Sequence, residues 1–358
     1  MYRNTKNVPY YVFGRGSLAQ LGDLLKPRRE AVDGPVVYFV DHFFRDHELI
    51  GRLPMEKGDQ LHFVDSSSEP EVTRIGAFKE AVSAADSRTP CCVVGIGGGN
   101  ALDTAKAVAN LLTNPGKAED YQGWELVKNP AVYKIGIPTL SGTGSECSRT
   151  CVLTNIPKNL KLGMNSDYTV YDQLLLDPDL LATVPRDQYF YTGIDTFMHC
   201  VESLQGSYRN AIIDAFSVRA VQLCEEIFLS DDMMSEENRE KMMIASYIGG
   251  MAAGNVGVIH PFSAGLGVVL HVAHGLGNCL ALNVLGDIYP KEYKQFRTMI
   301  ERQGVNLPTG ICKDLTEEQY EGLYRGCIVH EKPLTNALGP DFKQILTREN
   351  LIERYKSI

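Results

Sequence analysis

The chain has 358 residues, 44% of them hydrophobic and 22% charged, with a formal net charge of −9. That length exceeds one small core and suits two domains. The acidic balance, with no Lys/Arg-rich run interleaved with aromatics, argues against a nucleic-acid partner, and no apolar run reaches membrane-spanning length.

The N-terminus, MYRNTKNVPYYVFGRGSL, lacks the apolar core of a secretory signal, so a cytoplasmic location is expected. The nine cysteines form no CxxC pair, and reduced thiols are the simplest reading. VVYFVD (36–41), CCVVGIGGGN (91–100) and KIGIPTL (134–140) are continuous apolar runs. Helical patterns lie between them, EVTRIGAFKEAVSAAD (71–86) and ALDTAKAVANLLTN (101–114). Strands without polar alternation, separated by helices, predict a parallel sheet covered on both faces. Such sheets bind ligands outside the carboxyl ends of their strands.

Three places fall at those ends. GIGGGNALDTAK runs from a strand through three glycines, Gly97, Gly98 and Gly99, into a helix carrying Asn100, Asp103 and Lys106. Glycines let a phosphate approach the backbone, and a helix N-terminus offers free N–H groups and a positive dipole end. The plainer alternative is a tight turn that needs a positive φ; three glycines exceed what such a turn requires. PTLSGTGSE (138–146) is a second small, hydroxyl-rich loop suited to closing over a nucleotide. Asp41, at a strand end, suits a ribose 2′-hydroxyl and would repel a 2′-phosphate, favouring NAD(H) over NADP(H). A strand-end Asp also serves as a helix N-cap.

After DPDLLATVPRDQYFYTG (177–193) the strand pattern stops and helical periodicity takes over. The expected organisation is a Rossmann-like α/β dinucleotide-binding domain over 1–184 and an all-α metal-binding domain over 185–358, facing each other across a cleft. In the helical half, Asp195 and His199 are four residues apart, one turn on the same helix face. His260 and His274 are fourteen apart in a stretch rich in Gly and Ala, on one helix or a broken one. His271 stands close to His274, so spacing alone leaves the choice between them open. Three imidazoles and a carboxylate suit a divalent metal of intermediate softness, Fe(II) or Zn(II).

In order along the chain, VDHFF, GGGNALDTAKA, PTLSGTGSE, LDPDLLATVP, GIDTFMHCVE, VIHPFSAGLG and AHGLGN resemble the iron-containing (group III) alcohol dehydrogenase family. The resemblance covers nearly the whole chain. It implies the fold shared with dehydroquinate synthase, with metal ligands at Asp195, His199, His260 and His274. It places cofactor contacts at Gly98, Gly99, Asn100, Thr139, Ser141, Thr143 and Lys161, beside Asp41, Gly97 and Asp103. Many members carry a His at the position of Ala264, thought to assist proton transfer; its absence leaves His271 as the candidate proton relay. Thr150, Met251 and Val256 fall where members line the substrate pocket.

Within the family the chain is most similar to the 3-deoxy-D-manno-octulosonate (Kdo) 8-oxidases, which convert a terminal alcohol of a sugar acid to an aldehyde. A downstream aminotransferase then makes the 8-amino sugar of lipopolysaccharide. That resemblance implies oxidation of a primary alcohol, with either NAD or oxygen as final acceptor. An acidic substrate needs a cationic contact, for which Arg149 is the candidate; the alternative is an Arg held in an ion pair. The rival readings are a generic NAD-dependent dehydrogenase of small alcohols, a dehydroquinate-synthase-like cyclase, and an NAD-binding subunit with a relict site. A homodimer is expected, with the YYVFG strand as the contact.

Overall fold

The protein's structure is a computed structural model that describes residues 6–158 and 160–358. The chain divides into two compact units: one takes the chain up to Leu140 and then Ser145–Thr183, the other Ser141–Gly144 and Val184–Ile358.

The first unit is an α/β domain. Its six-stranded sheet contains β1 (Tyr10–Phe13), β2 (Val36–Asp41), β3 (Gln60–Val64), β4 (Cys92–Gly97), β6 (Lys134–Pro138) and β9 (Gln173–Leu176), in the order β1-β9-β6-β4-β2-β3. Every pairing in it is parallel. The apolar runs follow from burial on both faces. Val36, Tyr38 and Val40 of β2 pack with Leu18, Leu21 and Leu25 on one side. Val37 and Phe39 pack with Ile75, Ala105 and Val108 on the other. These contacts come from the 3-10 turn Ser17–Gln20 and from α1 (Leu21–Ala31), α2 (Val72–Ala85) and α3 (Gly99–Leu111). From β2 the chain adds β3 on one side and then crosses to β4 on the other. The order therefore reverses between β2 and β4, and the crevice outside their carboxyl ends lies at Asp41 and Gly97.

Two details differ from the sequence pattern. The helix expected over 101–114 begins at Gly99 and ends at Leu111, so Gly99 and Asn100 belong to its first turn. A second, three-stranded sheet was not anticipated: β5 (Gly123–Trp124), β7 (Thr150–Asn155) and β8 (Leu160–Asn165), with β7 and β8 antiparallel.

The second unit is helical, and among its described residues no strand occurs. It contains α4 (Arg186–Gln205), α5 (Ala211–Phe228), α6 (Glu236–Gly249), α7 (Ile259–Leu270), α8 (His274–Val284), α9 (Pro290–Gln303), α10 (Glu317–Ile328) and three short C-terminal helices. Helix α4 is buried continuously from Thr192 to Ser203, as a helix enclosed on all sides must be. It packs against α5, α6 and α8, while α7 packs against α8 and α10. His260 and His274 lie on a broken helix: His271 ends α7 in the left-handed conformation, with φ 55° and ψ 29°, which is uncommon for a residue with a Cβ. No single described helix is long and apolar enough to cross a membrane.

Candidate metal centre and nucleotide loops

Helix α4 presents Asp195, His199 and Glu202 at successive turns of one face, and all three are buried. His260 is the second residue of α7 and His274 the first of α8. The break at His271 thus lets two helix beginnings converge on α4. One ligand atom each from Asp195, His260 and His274 lie within 4.8 Å of one another. Asp195 Oδ1 is 3.2 Å from His260 Nε2, and Oδ2 is 3.6 Å from His274 Nε2. His199 joins through Asp195, its Nε2 3.7 Å from Oδ1. Its ring stacks on that of His260 at 4.4 Å. All four expected ligands are therefore gathered, three of them tightly. His271 is exposed at the helix break.

Without a cation the cluster is electrostatically uneven. Burial pushes the Asp195 carboxyl up, but the imidazoles of His199, His274 and His260 outweigh it and hold Asp195 ionised, well below the usual carboxylate range. Burial pushes His199 down to about 3. Burial also opposes the charged form of His260, yet the carboxylates of Glu202 and Asp195 win and raise it to about 9. Asp195 Oδ2 and His199 Nδ1 are buried with no hydrogen-bond partner among the described residues. A buried carboxylate needs compensating positive charge around it. A divalent cation fits this donor set, and its binding would expel the proton from His260.

Two polar residues of this cluster were missed by the spacing argument. Glu202 Oε2 meets His260 Nδ1. Asn278, one turn after His274 on α8, donates from Nδ2 to Asp195 Oδ1 at 2.6 Å. The available signal was position: Glu202 extends the Asp195–His199 stripe, and Asn278 repeats the four-residue step from His274.

In the α/β unit, three of the expected cofactor residues, Asp41, Asn100 and Lys161, contact the segment Ser66–Glu69. Asp41 accepts from Phe43 N at 3.0 Å and from Ser66 Oγ at 2.7 Å, so its N-cap role is present. Asn100 Nδ2 donates to the carbonyls of Ser66 and Ser68 at 3.3 and 2.9 Å. Lys161 Nζ pairs with Glu69 Oε1 at 2.9 Å. Thr139 N donates to Gly97 O at 3.0 Å, joining the two loops. A Cβ on Gly97, which has φ +152°, would lie 2.6 Å from Ala101 Cβ and 2.9 Å from Asp41 Cβ. Gly98 caps α3 without a side-chain hydrogen bond, leaving that helix start to a ligand. Asp103 is turned into the protein: it accepts from Ser145 Oγ, and from Val152 N at 2.8 Å.

The segment Ser141–Gly144 belongs with the helical unit. Gly142 N donates to Ser246 Oγ at 2.9 Å, and Thr196 Oγ1 donates to Gly142 O at 2.9 Å. A Cβ at Gly142 would stand 1.8 Å from Thr192 O. Ser141 Oγ is buried with no partner among the described residues, a hydroxyl that suits a bound phosphate or ribose. Thr143 lies in the same segment. The loops of the α/β unit suit a dinucleotide.

Residues 9–178 match the iron-containing alcohol dehydrogenase family, and residues 189–322 match the C-terminal domain of Fe-containing alcohol dehydrogenases. The chain belongs to the iron-containing alcohol dehydrogenase family. Iron(II) and NAD(H) are the cofactors of that family. Among its relatives, a sulfoacetaldehyde reductase of Bilophila wadsworthia is 38% identical over 190 residues, 51% of this chain and 49% of that protein. The chain thus spans about half the length of that relative. The NAD-dependent methanol dehydrogenase of Bacillus methanolicus is 29% identical over 278 residues, 75% of this chain and 71% of that protein. A crystal structure of sulfoacetaldehyde reductase from Bifidobacterium kashiwanohense with NAD+ superposes with a TM-score of 0.80 at 24% identity, covering 99% of this chain and 98% of that one. An alcohol dehydrogenase from Oenococcus oeni gives a TM-score of 0.84 at 21% identity, covering 99% of each chain.

In this member of the iron-containing alcohol dehydrogenase family, Arg149 is not held ready for an acidic substrate. Its guanidinium reaches Asp167 at 2.6 Å and Glu125 at 2.5 Å, so the ion-pair alternative is the one the geometry displays. Thr150 lies in the same unit on β7, its carbonyl engaged by the buried Lys106 ammonium. Met251 packs against Cys200, Ile213, Ala220 and Ala252, and Val256 is half-buried. Ala264 is buried and carries no proton.

Proposed function

We propose that the chain is a metal-dependent oxidoreductase that interconverts a primary alcohol and its aldehyde, with Fe2+ as the metal and NAD(H) as the hydride partner. The observation that carries this reading is the convergence of Asp195, His260 and His274, with His199 alongside, around a buried carboxylate oxygen that accepts no hydrogen bond among the described residues. Asp195, His199, His260 and His274 hold the metal. Bound there, a dication supplies Lewis acidity that makes an alcohol hydroxyl easier to deprotonate. The free N–H groups at the start of α3, Gly97–Asn100, Thr139, Ser141 and Thr143 hold the dinucleotide; Asp41 takes its ribose, and Lys161 and Asp103 keep the surrounding loops in place. Ala264 leaves no side-chain proton carrier at its position, and the proton leaves through hydroxyls, water or the exposed His271. Nine free, buried cysteines suit a reducing cytoplasm.

For the substrate, the 38% identity to a sulfoacetaldehyde reductase favours a small anionic aldehyde. Arg149 is ion-paired and offers a cationic contact to neither acid, so the Kdo 8-oxidase reading, with its downstream aminotransferase, ranks second only on the identity to the reductase. Purified protein loaded with Fe2+ or stripped by chelator separates these readings. NADH oxidation is followed with sulfoacetaldehyde and simple aldehydes, and NAD+ reduction with Kdo and primary alcohols. The expected result is metal-dependent turnover of the small aldehydes, lost in His274→Ala. Wild-type turnover by metal-free Asp195→Ala protein would sink the reading. An aldehyde product from Kdo alone would restore the sugar-acid assignment.

A further inference from the structure

We propose that Glu202 is the positioning residue of the metal centre: its buried carboxylate fixes the His260 ring so that Nε2 is the ligand atom. This rests on reading Asp195, His199, His260 and His274 as the ligand set.

The geometry is specific. Glu202 is 1% exposed. Its Oε2 meets His260 Nδ1, while His260 Nε2 faces Asp195 Oδ1 at 3.2 Å. An imidazole ligates through a nitrogen lone pair while its other nitrogen carries the proton, and a carboxylate acceptor fixes which is which. Glu202 Oε1 accepts from Ile259 N at 2.6 Å and from the Tyr289 hydroxyl at 3.3 Å. The Tyr289 oxygen in turn accepts from Val258 N at 3.1 Å.

Val258 caps α7 without a side-chain hydrogen bond of its own. Glu202, reaching from α4, therefore serves as the missing cap and places a negative charge at a helix N-terminus, where the dipole favours it. One carboxylate thus sets the register between the helix that carries Asp195 and His199 and the helix that carries His260.

The competing account is that Glu202 only caps α7. Glu202→Gln separates the two, because glutamine keeps an acceptor oxygen for Ile259 N but loses the charge and the strong acceptor for His260. The full-length metal-free protein is titrated with Co(II) against a competing chelator, and the visible absorption of bound Co(II) is recorded. Glu202→Gln is expected to weaken Co(II) binding by about 10–100-fold and to shift the Co(II) bands. Tyr289→Phe, which leaves the His260 contact intact, is expected to bind more tightly than Glu202→Gln. If Glu202→Gln melts too early for titration, the Co(II)-induced rise in melting temperature gives the same comparison by linkage. Co(II) binding by Glu202→Gln within about twofold of wild type, with unchanged bands, overturns the proposal, since second-shell losses run to tenfold or more. Loss of Co(II) by His274→Ala supports the ligand set independently. A wild-type protein that binds no Co(II) overturns that set and this inference with it.

Discussion

Asp195 shows how much of this centre is decided by single atoms. Its Oδ1 is shared among His260, His199 and the Asn278 amide, while Oδ2 is left facing His274. Asn278 thus keeps one oxygen occupied and the other available. Asn278→Leu, close in volume but unable to donate, should weaken metal binding by about tenfold or more, read by chelator competition on the folded protein. Equal affinity would show that Asp195 needs no help. The pair Asp195 and His199 was legible because a four-residue step on a helix puts side chains together whatever surrounds them. Glu202 and Asn278 were not, because a Glu or Asn on a helix reads as a solvated residue until the neighbouring helices are known to bury it. Arg149 failed in the other direction. Its partners Glu125 and Asp167 come from separate turns, and no periodicity in the sequence links them.

At the scale of elements, the parallel sheet was visible because both faces of β2, β4 and β6 are covered, which removes polar residues from the pattern. The β7–β8 hairpin was hidden because β8 does not alternate apolar-in and polar-out: Leu160 and Leu162 are half-buried and Lys161 is buried. Helix α1 is anchored differently, by charge. Arg29 grips Asp59 with two hydrogen bonds, of 2.9 and 2.6 Å. Asp59 also accepts from Val36 N and Glu56 N at 2.9 and 2.8 Å. Burial pushes the Asp59 carboxyl up, but the Arg29 hydrogen bond and the two backbone donors prevail and hold it below the usual carboxylate value. A carboxyl depressed on folding stabilises the fold above its unfolded pKa, and that stability is lost as pH falls through the folded value. Asp59→Asn should therefore cost about 1.5–3 kcal/mol at pH 7, measured by chemical denaturation. The difference from wild type should shrink as the pH is lowered below the ordinary carboxylate range. A penalty that persists in acid would mean the charge is irrelevant.

For the molecule as a whole, the ordered motifs identified the family and its two-part architecture. The particular alcohol stayed illegible, because substrate choice depends on a few side chains whose partners only the fold supplies. Assembly is open to direct test. β1 pairs with β9 along one edge, is the last strand in the sheet order, and exposes Tyr10 at 67% and Phe13 at 40%. A strand edge bearing aromatics invites pairing with another strand. We propose that two copies join there. Light scattering should give twice the chain mass for wild type and a shift toward the single-chain mass for Tyr10→Glu/Phe13→Glu. A monomeric wild type removes the proposal.

The four residues Ser141–Gly144 group with the helices although they sit, in sequence, inside the α/β half. The backbone accordingly changes allegiance three times rather than once. A single cut near residue 184 would not yield two self-sufficient pieces. The C-terminal fragment would leave Thr196 and Ser246 without the glycine backbone they hold, and the N-terminal fragment would carry an orphaned stitch. Gene fusions, split reporters or homologue chimeras built on this scaffold would have to exchange that short strip together with the helices.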